Sequence, residues 1–117
     1  MKKKILITGS GGFLGNLAKQ YFSKNYDLVL VDLSRSNDAN SYKADIGNFA
    51  EIDFVISKEK PNIIFHFASE IFDTHNKTKI YKTNVEGSMN VKISAIKNNV
   101  DSLIFTSTFS LFEKNYN

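Results

Sequence analysis

The sequence predicts an α/β fold, a parallel sheet with helices on both faces. Three observations predict it. Short apolar runs alternate along the chain with stretches whose apolar residues recur at three- and four-residue steps. The runs are continuous rather than alternating, which suits parallel strands covered on both sides. A glycine-rich turn joins the first run to the first periodic stretch, giving the order strand, turn, helix.

Ile5-Leu6-Ile7 is the core of strand one. The turn is Thr8-Gly9-Ser10-Gly11-Gly12-Phe13-Leu14-Gly15, and helix one follows, with Phe13, Leu14, Leu17, Ala18, Tyr21 and Phe22 expected as a single buried stripe. A Gly-x-Gly-x-x-Gly reading from Gly9 and Gly11 fails at Leu14; the set that fits is Gly9, Gly12 and Gly15. A helix N-terminus carries unpaired N–H groups and partial positive charge, and glycines let a pyrophosphate approach it. The turn therefore predicts a dinucleotide site near residue 10, to which Gly11, Phe13 and Leu14 also contribute. No Gly-Lys-Ser/Thr ends it, so it is not a phosphate loop of the nucleotide-triphosphatase type.

Asn25-Tyr26-Asp27 breaks the helix, and Leu28-Val29-Leu30-Val31 is strand two, ending at Asp32. Residues 34–41 read as a loop. Tyr42-Lys43-Ala44 is a short third strand ending at Asp45. Phe49, Ile52, Val55 and Ile56 have helical spacing, closed by Pro61. Ile63 to Ala68 is the strongest strand. After a polar loop from Ser69 to Asn76, the residues Ile80, Tyr81, Val85, Met89, Ile93 and Ile96 predict one long helix, ending near Asn98-Asn99. Leu103 to Thr106 is the fifth strand. No repeat, low-complexity tract or linker interrupts the 117 residues, which read as one unit. No helix follows strand five. Either something else covers that edge or the chain is a piece of a longer one.

An apolar content of 42% with ten Phe supports a folded globule. The net charge is +3, and Arg35 is the single arginine among fifteen basic residues. The lysines are scattered apart from Lys2-Lys3-Lys4, a solvated lead-in to strand one, so no nucleic-acid partner is expected. Without cysteine there is neither a disulfide nor a thiolate metal site. No segment has the length of a membrane span or of a signal-peptide core, which makes the cytoplasm the expected location and a membrane partner unexpected.

Asp32 stands at the end of strand two, near the spacing of about 20 residues at which an acid receives an adenosine ribose. A carboxylate accepts from the 2′- and 3′-hydroxyls and repels a 2′-phosphate, which favours NAD over NADP. Arg35 argues the other way, since a guanidinium could hold that phosphate.

Together these segments resemble the extended short-chain dehydrogenase/reductases, the NAD-dependent epimerase/dehydratase group acting on nucleotide sugars. Thr8 to Gly15 is similar to that family's Thr-Gly-x-x-Gly-x-x-Gly signature, and Val31-Asp32-Leu33-Ser34 to its ribose-binding strand end. Ala44-Asp45-Ile46 resembles the segment whose Asp receives the adenine amino group. His66-Phe67-Ala68-Ser69 resembles a strand-four motif that lines the cofactor, and Asn84-Val85-Glu86-Gly87-Ser88 resembles Asn-Val-x-Gly-Thr. The resemblance implies a Rossmann-type doubly wound parallel sheet, incomplete at about five strands, with order 3-2-1-4-5. It implies that Gly9, Gly12 and Gly15 serve the pyrophosphate of NAD, Asp32 the ribose and Asp45-Ile46 the adenine. Phe67, Ala68 and Ser69 would line the nucleotide, and Asn84 would have a role in the site. A nucleotide-sugar substrate and a possible homodimer are the implied partners.

Phe105 to Phe112 is similar to the family's strand-five segment, usually Ser-Ser-x-x-x-Tyr-Gly. That similarity puts Thr108 at the catalytic Ser/Thr position and Thr106 and Ser107 near the nicotinamide. The family's Tyr-Gly is Phe112-Glu113 here. The larger departure is that no Tyr-x-x-x-Lys occurs: Tyr21, Tyr26, Tyr42 and Tyr81 have Asn25, Leu30, Ile46 and Val85 four residues on, and Tyr116 has no Lys. In the family that lysine lowers the tyrosine pKa so that a phenolate can take the substrate proton. Without a partner a tyrosine with pKa near 10 is a poor base at neutral pH.

His66 and His75 lack a third ligand at a recurring spacing, so no metal is expected. His66 reads better as a strand-end residue held by local hydrogen bonds. A hydrolase triad through Ser107 and His66 would need a Gly-x-Ser-x-Gly elbow, which is missing. Gly87 inside a helix implies close packing of that helix on the sheet. Three function classes stay open: part of an oxidoreductase, epimerase or dehydratase, inactive alone; a non-catalytic NAD(P)-sensing module; and a decayed gene product.

Overall fold

A computed structural model describes residues 1–69 and 76–106. Strand β1 (Lys4–Thr8) leads through the glycine turn into helix α1 (Phe13–Phe22) and strand β2 (Asp27–Asp32). Strand β3 (Ser41–Lys43), helix α2 (Phe49–Glu59) and strand β4 (Ile63–His66) follow. Helix α3 (Lys77–Tyr81) runs through a π-helical segment, Lys82–Gly87, into α4 (Ser88–Lys97), and strand β5 (Ser102–Phe105) comes last. All strand pairs are parallel, and the sheet order is β3-β2-β1-β4-β5. This is the order 3-2-1-4-5 of a Rossmann-type sheet.

The central strand decides where the core sits. Leu6 on β1 joins Val29, Val31 and Ile64 in one cluster with Ile52, Val55 and Ile56 of α2 and Val91 and Ala95 of α4. Ile5 and Ile7 point the other way, into a second cluster with Leu30, Ala18, Phe22 and Phe65. Successive residues of one strand thus enter opposite faces, as the pleat requires. Both ends of α2 have a local cause. The Asn48 side chain accepts from the Glu51 N–H to start α2, and Lys60 closes it in the left-handed region just before Pro61.

Two expected stripes are corrected. On α1, Phe13 (80%) and Tyr21 (78%) are largely exposed, and Leu14 and Leu17 about half exposed. The buried residue of that helix is Gly15, with Ala18 and Phe22 packed against the sheet. Beyond α3, Val85, Met89, Ile93 and Ile96 are exposed, while Gly87, Val91, Ser94 and Ala95 are buried. Small side chains let a helix sit close on its neighbours. The π-helical segment also holds more residues per turn than an α-helix, which rotates every later residue relative to the expected face. Among the described residues, no helix is long and apolar enough to cross a membrane.

Candidate functional site

The C-terminal ends of β1, β2 and β4 open onto one cleft of about 670 Å³. Its floor is the glycine turn. Gly9 has φ +68, a conformation that disfavours any side chain, and a Cβ there would lie 2.7 Å from the Ala68 nitrogen. Gly15 is closed to a side chain for a different reason: a Cβ would lie 2.2 Å from the Gly9 carbonyl oxygen. Helix α1 therefore seats directly on the turn. Gly12 caps α1 without a side chain, and the first turn holds no acidic residue. Its orphan N–H groups and positive dipole end are suited to an anion.

Asp32 ends β2 beside this floor. Its Oδ2 accepts from the Gly11 N–H at 2.6 Å and its Oδ1 from the Leu33 N–H at 2.7 Å. On the same side, the Asp45 Oδ1 accepts from the Gly47 N–H at 2.8 Å, which tightens the turn that presents Ile46. The Phe67–Ala68 backbone forms the wall above Gly9. Both of its N–H groups donate to the Thr8 hydroxyl, at 3.1 and 3.2 Å. That hydroxyl in turn contacts His66 Nδ1 at 2.7 Å, and His66 Nε2 contacts the Ser88 hydroxyl at 3.0 Å. Burial lowers the His66 pKa to about 4, so the ring is neutral at neutral pH.

Twelve of the sequence-derived residues line this one cleft. Gly9, Gly11, Gly12, Phe13, Leu14 and Gly15 form its floor, Asp32, Asp45 and Ile46 one side, and Phe67, Ala68 and Ser69 the other. Asn84 lies half-buried in the π-helical segment and Thr106 exposed after β5, and neither is among the lining residues. Ser107, Thr108 and His75 lie outside the described residues. Val31, Leu33 and Ala44, which the sequence places in the strand-end segments without a role of their own, also line the cleft, as does Thr83, which sequence reasoning missed. Val31, Leu33 and Ala44 directly neighbour Asp32 or Asp45, so strand-end position was a usable signal for them. Thr83 had none, because it reaches the cleft from the π-helical segment.

The residues present fit a dinucleotide: a floor closed to side chains under a helix N-terminus, and a carboxylate at the adjoining strand end. The UDP-glucose 4-epimerase of Rhizobium meliloti (strain 1021) is 28% identical over 119 residues, covering 92% of this chain and 36% of that protein. The CDP-paratose 2-epimerase of Salmonella typhi is 31% identical over 128 residues, covering 93% and 38%. The crystal structure of Thermotoga maritima UDP-glucose 4-epimerase with UDP-glucose matches with a TM-score of 0.80 at 28% identity, over 90% of this chain and 38% of that one. The Bordetella bronchiseptica enzyme WbmG, in complex with NAD and UDP, matches with a TM-score of 0.82 at 23% identity over 90% and 37%, a likeness of fold. The chain thus spans little more than a third of the length of these relatives. The family model for the NAD dependent epimerase/dehydratase family matches residues 5–117. A match that runs from the first strand through the last residue makes this chain a member of the NAD-dependent epimerase/dehydratase family.

Proposed function

We propose that residues 1–117 are the NAD-binding part of an oxidoreductase, epimerase or dehydratase acting on a nucleotide sugar. The observation that carries this reading is the Asp32 carboxylate held 2.6 Å from the Gly11 N–H, beside the start of α1. There the ribose acid and the pyrophosphate cradle share one wall of the cleft. In this reading the amides at the start of α1 bind the pyrophosphate, Asp32 orients the adenosine ribose, and Asp45 with Ile46 holds the adenine. The Phe67–Ala68–Ser69 wall orients the rest of the nucleotide. NAD itself supplies the hydride chemistry when bound. The charge on Asp32 disfavours a 2′-phosphate, so NAD is preferred to NADP. The relatives that are UDP-glucose 4-epimerases support a nucleotide-sugar substrate for a protein carrying the whole family fold.

Thr108 is the proposed catalytic hydroxyl, with Thr106 and Ser107 beside the nicotinamide, and Asn84 contributes from the helix. With no Tyr-x-x-x-Lys among its residues, the 117-residue chain binds cofactor without turning over substrate. The second reading is a non-catalytic NAD(P)-sensing module, which also binds NAD without turnover. Calorimetric titration of the purified chain with NAD and NADP, followed by assays for NADH and for conversion of UDP-glucose, tests both points. NAD binding stronger than NADP binding with no NADH formed and no UDP-glucose converted is expected. Failure to bind NAD overturns the cofactor reading, and NADH formation or conversion of UDP-glucose overturns the claim of inactivity.

A further inference from the structure

We infer that His66 is a positioning residue for the cleft: as the Nε2–H tautomer it carries the position of Ser88 on α4 to the Thr8 hydroxyl, which fixes the Phe67–Ala68 peptide against Gly9. The proton count leads there. A threonine hydroxyl has one hydrogen to donate and two lone pairs. The Ala68 N–H takes one acceptor place on Thr8 Oγ1, and the Phe67 N–H, shared between that oxygen and the Thr8 carbonyl at 3.1 Å each, takes the other. The remaining contact, His66 Nδ1 at 2.7 Å, must receive the Thr8 hydrogen. Nδ1 is therefore bare. A neutral ring then has its proton on Nε2, which donates to the Ser88 hydroxyl at 3.0 Å.

The chain of contacts matters because of what it ends on. The Phe67–Ala68 peptide is the group that a side chain at Gly9 would strike, at 2.7 to 2.9 Å. It lines the cleft together with Gly9. Ser88 opens α4 immediately after Gly87, which abuts Ile46 on the opposite side of the same cleft. One buried imidazole thus ties the helix behind one wall to the backbone of the other. Phe105 on β5 closes the ring edge-to-face, at 5.4 Å between centroids.

The role of the network in cofactor binding rests on the reading that the cleft takes NAD; the tautomer does not. Long-range ¹H–¹⁵N spectra of the unliganded chain, with His75→Gln removing the second of its two histidines, are expected to show an unprotonated Nδ1 and a protonated Nε2. A proton on Nδ1 overturns the inference. In NAD titrations, Thr8→Val is expected to weaken binding about tenfold, the scale of one lost polar contact, and Thr8→Ser to stay within about threefold of the parent. Equal binding by Val and Ser variants overturns it. Ser88→Ala, which leaves the turn intact, is expected to weaken binding about threefold, with no change counting against the relay. If the parent chain binds no NAD, the proposed function fails. Faster amide exchange at Ala68 in Thr8→Val than in Thr8→Ser then still decides the relay.

Discussion

The Asp32 carboxylate and the Gly11 amide are joined across the cleft floor at 2.6 Å. The bond ties the end of β2 to the glycine turn, and in the proposed reading it holds the acid that orients the ribose. Asp32→Ala removes a half-buried acceptor at the mouth of the cleft, and the loss is expected to fall on ligand binding more than on folding. NAD affinity should drop about tenfold, while the preference over NADP shrinks or reverses. Calorimetry with both nucleotides checks this, and an unchanged NAD/NADP ratio would remove Asp32 from the ribose site.

Gly9 leaves no room for any other residue. Its φ of +68 and the 2.7 Å approach to the Ala68 nitrogen act together. Gly9→Ala should cost about 2 kcal/mol or more of stability, because strain in the left-handed region adds to a backbone clash. Urea denaturation gives the value. A cost below about 0.5 kcal/mol, the range of surface changes, would mean that the turn is looser than its geometry.

The alternation of strands and helices and the glycine turn were legible because their signals are local, while the sheet order came from the family resemblance. Gly9, Gly12 and Gly15 sit a fixed step apart, and Asp32 and Asp45 each follow a run of strand residues. Helix faces were not legible. Apolar periodicity picked out Leu17 and Tyr21 on α1 and Met89 and Ile93 on α4, whereas Gly15, Ser94 and Ala95 are the buried residues. Periodicity counts large residues, while close packing selects small ones. The π-helical segment at Lys82–Gly87 has no sequence signature that would have reset the count. Nor could the Thr8–His66–Ser88 network be read, since its members come from three separate elements.

His66 makes stability depend on acid. Its folded-state pKa is lowered from 6.5 to about 4 because burial penalises the imidazolium. Between those values the unfolded chain binds the proton and the folded chain does not, so stability rises with pH across that window. The contribution is complete above pH 6.5 and lost as pH falls toward 4. The displacement corresponds to roughly 3 kcal/mol. The described ring contacts are two hydroxyls and the Phe105 ring, which carry no charge to offset it. Asp53, held below its usual value chiefly by its hydrogen bond with Lys97, and Asp38 and Glu59, also lowered, add their own loss of stability as pH falls through about 5, which the His66 variant leaves in place. Urea midpoints at pH 7.5, 6, 5 and 4.5 should fall steadily, and His66→Asn should flatten that fall. An equal slope in the variant would locate the proton elsewhere.

The outward residues of α4 make the opposite kind of prediction. Met89 is 49% and Ile93 48% exposed, on the face turned away from the Val91–Ala95 packing. In an isolated chain their replacement removes little buried apolar area, so Met89→Lys and Ile93→Lys should each change stability by less than about 0.5 kcal/mol. Val91→Ala, at a fully buried position, should cost about 2 kcal/mol by the same measure. Denaturation at two protein concentrations separates an exposed face from a covered one. If the lysine variants lose a kcal/mol or more and the loss grows with concentration, the stripe is buried between copies of the chain, and the homodimer expected from the family resemblance forms through this helix. If the loss is the same at both concentrations, the stripe packs within the chain, and the assigned register of α4 is wrong.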